Sequence, residues 1–179
     1  MRAPADKIER LLAGENWLGA RRVVLKELAR APKDHWLLSR LALTYYEQGR
    51  YKEALKHEAR ALALAPRCPL VLWGLAGTHH MLGRLDAAVV LYQRLIRRGA
   101  PRIAAGPCGE GIRRARGLVA DCWFRLGEIR EDRGQRRLAE RAYREHVARR
   151  VCAASIYEAA LVREKLRALR LAKHQVRAE

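Results

Sequence analysis

The chain has 179 residues and a formal net charge of +18, from 37 Lys and Arg against 19 Asp and Glu. Half of its residues are apolar, which is enough for a core and excludes wholesale disorder. No uninterrupted apolar run approaches the roughly 20 residues that a membrane-spanning helix needs, and the first residues lack the apolar segment of a signal peptide.

The sequence repeats itself at an offset of 34 residues, most clearly from Tyr45 to Pro66. Three pairs recur at this offset: Gly49 and Gly83, Ala54 and Ala88, and Leu62 and Ile96. A weaker copy comes first, in which four residues anticipate Tyr51, Ala54, Leu62 and Pro66: Trp17, Ala20, Leu28 and Pro32. A period of this length predicts repeats that each contain two antiparallel helices.

The first three repeats cover about 1–34, 35–68 and 69–102, and the first is degenerate. Gly49 and Gly83 fall where the two helices of a repeat turn, so we expect each to end a helix with positive φ. A fourth repeat, about 120–152, begins around Trp123 and contains Gly134.

The fourth repeat is out of step with the others, because Gly83 and Gly134 are 51 residues apart, which is one period plus 17. We therefore expect an insertion at about 99–116. Helical spacing in its second half predicts a first helix extended backwards by about two turns, after a loop at about 99–109.

The last segment, 153–179, is predicted to form a capping helix and a basic tail. Ser155 and Glu158 have the spacing of a capping box at its start. An apolar stripe then includes Tyr157, Leu161 and Leu166, opposite a basic face. Such a helix would cover the last repeat.

These residues resemble the tetratricopeptide repeat (TPR) family over about 1–152. The resemblance implies an all-α, right-handed superhelical solenoid of antiparallel helix pairs that binds another protein or a peptide in a concave groove and is not an enzyme. The groove positions carried over are Trp36, Ser39, Leu43, Tyr46 and Glu47 in repeat two, Leu70, Trp73, Gly77, His80 and Met81 in repeat three, and Asp121, Phe124, Glu128, Glu131 and Asp132 in repeat four.

This set of groove positions contains five carboxylates and no Lys or Arg, although the chain as a whole is strongly basic. The resemblance therefore argues against the carboxylate-clamp subclass, which needs basic groove residues. Aromatic residues beside carboxylates favour a partner segment with apolar anchors and some basic residues. Alternatively, Trp36 and Trp73 pack between neighbouring repeats and leave little groove.

Two basic features offer a different function. The insertion places glycines before a helix that starts with arginines, the ingredients of an anion site: Gly109, Gly111, Arg113, Arg114 and Arg116. We favour a simple loop with a solvated basic face, since the Gly-Lys-Ser/Thr ending of a phosphate-binding loop is absent. Arg137 and Arg141 belong to an arginine-rich helix that could dock on RNA, a ribonucleoprotein or another polyanion, unless this charge only reflects composition.

The four cysteines form no C-x-x-C pair and no zinc-finger spacing, so we expect reduced thiols in a cytoplasmic protein. Nothing in the sequence brings a base to Cys108, so no catalytic site is predicted. No metal and no cofactor is expected either.

Overall fold

The computed structural model describes residues 3–106, 108–150 and 154–175, which contain nine α-helices and no strand. The helices are α1 (Ala3–Ala13), α2 (Trp17–Arg30), α3 (His35–Tyr46), α4 (Tyr51–Leu64), α5 (Pro69–Met81), α6 (Leu85–Ala104), α7 (Ile112–Asp132), α8 (Arg136–Arg149) and α9 (Ala159–Gln175). Helices joined by short turns pack on each other, α1 on α2, α3 on α4 and α7 on α8. The predicted all-α fold of helix pairs is confirmed.

The turns inside the helix pairs share one backbone conformation. Gly49, Gly83 and Gly134 have φ of 70°, 71° and 68°, which confirms the expectation for the first two. After each glycine, the next N–H donates to the carbonyl five residues back, as from Arg50 to Tyr45 at 2.9 Å. This pattern satisfies carbonyls at the end of the first helix that have no partner within it.

The first pair makes the same turn without a glycine. Glu15 has φ of 56°, and the N–H of Asn16 donates to the carbonyl of Leu11 at 2.9 Å. A side chain at positive φ costs about 1–2 kcal/mol, because Cβ crowds the following carbonyl. The hydrogen bonds of the turn therefore impose a conformation that suits Glu15 poorly.

The chain forms two compact units, Met1–Leu91 and Tyr92–Glu179. In the first unit, a buried cluster joins Ile8 of α1, Val24 of α2 and Leu41 of α3. In the second unit, a cluster joins Phe124 of α7, Tyr143 of α8 and Val162 of α9. Each core thus lies between the apolar faces of consecutive helices.

The connection before α7 differs from the expected loop at about 99–109. Helix α6 breaks at Gly99, which has φ of 73°, but a further helical turn comes after it and ends at Ala104. Pro101 suits this turn, because its fixed φ is helical and the first N–H groups of a helix have no partner within it. The loop therefore begins at residue 105, and α7 begins at Ile112, about two turns before repeat four, as predicted.

The predicted capping box at Ser155 does not form. Helix α9 begins only at Ala159, and residues 154–158 precede it without helical structure. The Ser155 oxygen accepts from the Tyr157 N–H at 3.2 Å, before the helix begins, and its hydroxyl donates to Asp121 Oδ1 of α7 at 2.6 Å.

Candidate functional site

In the first unit, two of the predicted groove positions face each other across α3 and α5. A Cβ built at Gly77 would lie 3.7 Å from the ring of Tyr46, which is ordinary van der Waals contact. The Tyr46 ring itself is only partly buried. The inner sides of α3 and α5 thus form one face, here called the α3–α5 face.

The remaining predicted positions of this face are at least partly accessible. Met81 is 44% exposed, near the C-terminal end of α5. The partly buried positions are Ser39, Leu43, Leu70, Trp73 and His80, and Glu47 is exposed. The hydroxyl of Ser39 donates to the carbonyl of His35 at 3.0 Å, so it is used within α3.

Trp36 contributes more to the core than the predicted groove implied. It packs with Leu43 against the cluster of α1, α2 and α3, as the alternative interpretation held for this residue. The guanidinium of Arg40 lies 5.2 Å from its ring centre, and Arg40 Nε is 2.6 Å from Glu9 Oε1. A cation therefore lies beside the Trp36 ring, although none of the groove positions taken from the repeat pattern is basic.

In the second unit, two of the predicted groove positions are covered rather than open. Phe124 is 1% exposed and Asp121 is 3% exposed. The ring of Tyr157 stacks on Phe124 with centres 3.9 Å apart and planes 19° apart. Val162 and Leu169 of α9 complete this cluster. The interpretation of Asp121 and Phe124 as open groove residues is therefore corrected: the chain's own C-terminal segment lies on them.

Asp121 binds this segment directly. Its Oδ1 accepts from the Ser155 hydroxyl at 2.6 Å, and its Oδ2 accepts from the Ile156 N–H at 3.1 Å. Burial raises the pKa of this carboxyl, while the two hydrogen bonds and the neighbouring His146 act in the opposite direction. The carboxylate at the start of the predicted groove of repeat four is thus used within the chain.

Other carboxylates of repeat four also have partners. Glu131 Oε2 accepts from the Tyr143 hydroxyl at 2.7 Å and from Lys165 Nζ at 3.0 Å. Glu128 pairs with Arg125 at 2.9 Å. Asp132 is exposed at the end of α7. The predicted acidic end of the groove is therefore largely neutralised by α8, α9 and α7 itself.

Two buried ionisable residues were not singled out as functional by the sequence analysis. His146 is fully buried, and its Nδ1 lies 2.9 Å from the carbonyl oxygen of Ala120. Burial lowers its pKa, and Nδ1 carries the hydrogen of this bond because a carbonyl oxygen only accepts. Glu58 is 3% exposed, and burial raises its pKa to about 8. It holds the repeat position that Tyr92 and Tyr143 hold in the next two repeats.

The glycine-rich loop before α7 has mainly a structural explanation. A Cβ at Gly109 would overlap the carbonyl of Ala104, and Gly111 has φ of 85° at the start of α7. The three arginines after it are exposed: Arg113, Arg114 and Arg116. Arg114 pairs with Glu110 at 3.4 Å, which offsets part of this positive charge.

The arginines of α8 line a depression of about 450 Å³ on one side of the helix. Its lining residues are Arg137, Glu140, Arg141, Arg144, Glu145 and Ala148. Glu140 pairs with Arg144 at 2.6 Å, so some of the charge is neutralised locally. Burial, and after it the positive charge of Arg141, lower the pKa of Arg130.

Cys68 and Cys122 are buried free thiols, and Cys108 is partly buried. Cys152 lies outside the described residues. Burial raises the pKa of Cys122, which makes it a packing residue rather than a nucleophile. Within the described part of the chain, none of the helices has the length and apolarity to cross a bilayer.

Comparison with known proteins supports the helix-pair architecture. Two crystal structures of MamA resemble the chain. The first is 20% identical, covers 81% of this chain and 70% of that chain, and has a TM-score of 0.58. The second is 18% identical, covers 99% of this chain and 98% of that chain, and has a TM-score of 0.60. A tetratricopeptide repeat protein from Parabacteroides merdae ATCC 43184 is 13% identical over 93% of this chain and 69% of that chain, with a TM-score of 0.52. None of the curated proteins matched the chain.

At these identities the likeness shows the fold alone. The family model described as "Tetratricopeptide repeat" matches residues 6–67 and 39–103, which together are more than half of the chain. The chain belongs to the tetratricopeptide repeat family.

Proposed function

We propose that the protein is a non-catalytic scaffold that holds a peptide or protein segment on the α3–α5 face. Repeats of this family support protein–protein interaction in general, and their fold is typically non-catalytic. The observation that carries the finer proposal is the pairing of Tyr46 with Gly77, which leaves half-buried aromatic surface between two helices of one unit.

The chemistry of this face favours a partner segment with apolar anchors. Tyr46 and Trp73 are amphipathic aromatic residues, and such residues dominate binding energy at interfaces when a partner dehydrates them. Met81 adds a flexible apolar side chain that adapts to different partners. Exposed Glu47 at the end of α3 suits a basic residue in the bound segment.

A peptide-display library selected on the immobilised chain tests this proposal. Selected peptides should share apolar anchors and bind the Trp73→Ala and Met81→Ala variants at least about tenfold more weakly, since truncating an anchor costs more than about 1.4 kcal/mol. Leu64→Ala is the matched control, because Leu64 is 43% exposed in α4 against 44% for Met81 in α5. Equal binding to all three variants would place the peptide elsewhere and reject this face.

A second candidate function is docking on RNA, a ribonucleoprotein or another polyanion. The depression lined by Arg137 and Arg141 favours it, because the two guanidiniums lie one turn apart on an exposed helix side. Binding of a single-stranded RNA should weaken in the Arg137→Glu/Arg141→Glu variant and remain in Trp73→Ala. Capture from the host lysate with and without nuclease separates the two functions: nuclease-resistant partners that require Trp73 support the scaffold, and nuclease-sensitive partners that require the arginines support polyanion docking.

A further inference from the structure

The segment 154–171 lies on repeat four as a bound peptide would. It begins without helical structure, and the N–H of Ala154 donates to the carbonyl of Arg113 at 3.3 Å. Gly117 permits this close approach, since a Cβ there would overlap the Ala154 carbonyl. The segment then turns into α9, which packs on α8. An amphipathic helix that lays its apolar face on a hydrophobic surface is a recurring mode of peptide recognition.

The side chains of the segment are complementary to the surface beneath it. The Ser155 hydroxyl donates to Asp121, Tyr157 stacks on Phe124, and Lys165 pairs with Glu131. This surface consists of acidic and aromatic residues of α7 together with Tyr143 of α8, and is here called the α7–α8 face. The segment therefore has the apolar anchors and basic residue that sequence analysis assigned to a partner.

Few residues hold the segment in place. Val162 and Leu169 are its two buried apolar side chains among the described residues, and Tyr157 and Leu166 are partly buried. The side chains of Lys165 and Glu131 are 32% and 30% exposed, so water and salt screen their attraction. Ile156 is 69% exposed, so its side chain adds little burial and the residue is held through its N–H bond to Asp121. Elements with few buried contacts open at a lower free energy than the rest of the fold.

We propose that the segment 154–171 is a built-in occupant of a second docking surface, the α7–α8 face, and that a partner segment of matching chemistry displaces it. Such a partner carries a hydroxyl residue, an aromatic residue two positions later, and an amphipathic helix with a lysine. This goes beyond the proposed function, because it concerns different residues and stands whether or not the α3–α5 face binds a peptide.

The occupant makes the affinity of this surface adjustable. A partner binds only the fraction of molecules whose own segment is released, so its apparent dissociation constant rises in proportion to how well the segment is held. An attached segment competes at an effective concentration in the millimolar range. The intact chain should therefore bind weakly, and any change that loosens the segment should strengthen binding without altering the α7–α8 face.

The probe for this inference is a synthetic peptide of residues 154–171 labelled with fluorescein at its C-terminus, followed by anisotropy. The full-length Tyr157→Ala/Lys165→Glu variant loosens its own segment, because the stack on Phe124 is lost and two carboxylates meet at Glu131. It should bind the peptide at least about tenfold more tightly than the unaltered chain. Arg163→Glu is the matched control, since it makes the same charge change at an exposed position of α9 and should bind like the unaltered chain.

A peptide with Lys165→Glu should bind the loosened variant at least about fivefold more weakly, which ties binding to Glu131. A loosened variant that keeps its helical circular dichroism and still fails to bind would overturn the proposal, as would equal binding by all chains. Hydrogen exchange of the unaltered chain decides the matter if that variant does not fold: amides of α9 should exchange at least about tenfold faster than those of α7. Equal protection of the two helices would show a permanent part of the fold and overturn the inference.

Discussion

Glu58 provides a pH-dependent test of the structure, through its replacement by glutamine. The carboxyl is 3% exposed between α4 and α5, and its Oε2 has no hydrogen-bond partner among the described residues. A Cβ built at Gly74 would lie 2.8 Å from Oε1, so glycine makes the room that this carboxyl occupies. Burial raises its pKa from 4.5 to about 8, and nearby Thr78 counteracts this only in part. Glutamine has the same shape but cannot ionise.

The size of the pH effect of Glu58 on the unfolding free energy follows from the linkage between proton binding and folding. Because the folded-state pKa lies above the unfolded-state pKa, the native state binds more protons between pH 4.5 and 8. The stability that this group contributes is therefore highest below pH 4.5, falls as the pH rises, and is fully lost above pH 8. From pH 5 to pH 9 the loss attributable to this one group is about 4 kcal/mol.

The assay is urea unfolding of the unaltered chain and of Glu58→Gln at pH 5, 7 and 9, followed by circular dichroism. The difference between the two chains removes the contributions of all other titrating groups. Glu58→Gln should be close to neutral at pH 5 and stabilising by about 4 kcal/mol at pH 9. Glu53→Gln is the control, since that exposed carboxyl pairs with Arg50 at 2.7 Å, its pKa is lowered, and it is already ionised at pH 5. A difference between the chains that stays constant from pH 5 to 9 would refute the buried, protonated glutamate.

Single contacts support three further predictions. Glu15→Gly should stabilise the fold by about 0.5–1 kcal/mol, because the strain relieved at φ of 56° exceeds the entropy that glycine adds to the unfolded chain. Glu15→Ala should not stabilise it, and thermal unfolding measures both variants. Tyr143→Phe should cost about 1.5 kcal/mol, since the hydrogen bond to Glu131 is lost, and urea unfolding would detect it. Gly117→Ala should speed hydrogen exchange in α9, because the new methyl group would overlap the Ala154 carbonyl. Gly77→Ala is the control, since its methyl group would make only ordinary contacts. Unchanged exchange in Gly117→Ala would contradict the close approach.

The helix pairs were predictable because each repeat leaves the same local signals. Glycine at 49 and 83 marks the turn, and small residues such as Ala54 and Ala88 mark close helix packing. The backward extension of α7 was predictable for the same reason, since apolar residues at helical spacing continue through it. These features depend on neighbouring residues, and the sequence displays them directly.

Features that depend on distant residues were not predictable in the same way. Ser155 has the spacing of a capping residue, but its hydroxyl accepts from the Tyr157 N–H and donates to Asp121, and a partner 34 positions away leaves no local signal in the sequence. Positive φ at Glu15 carries no glycine signal, because the hydrogen bonds of the turn impose it. The break at Gly99 was foreseeable, but the helical turn after it was not.

Equivalent positions of the repeats differ in the two units because a different element comes after each repeat. Trp73 is only partly buried, while Phe124, which holds the same position in repeat four, is buried because the C-terminal segment places Tyr157 on it. Repeat register alone therefore predicts which side chains point to the inner side of a helix pair. Accessibility is decided by the next element, and a search for the binding surface must start from that element.

Salt dependence distinguishes the arginine surface from the two peptide-binding faces, because their binding forces differ. On the α3–α5 face, aromatic and thioether groups carry the contact, so affinity should change little with salt. Release of the C-terminal segment from the α7–α8 face should become easier as salt weakens the pair of Lys165 and Glu131. Docking of a polyanion on Arg137 and Arg141 should weaken steeply with salt, since each phosphate contact releases counterions. A partner with the matching lysine loses the same attraction to Glu131, so its net affinity for the α7–α8 face should change little with salt, and a steep loss of affinity with salt would identify the arginine surface.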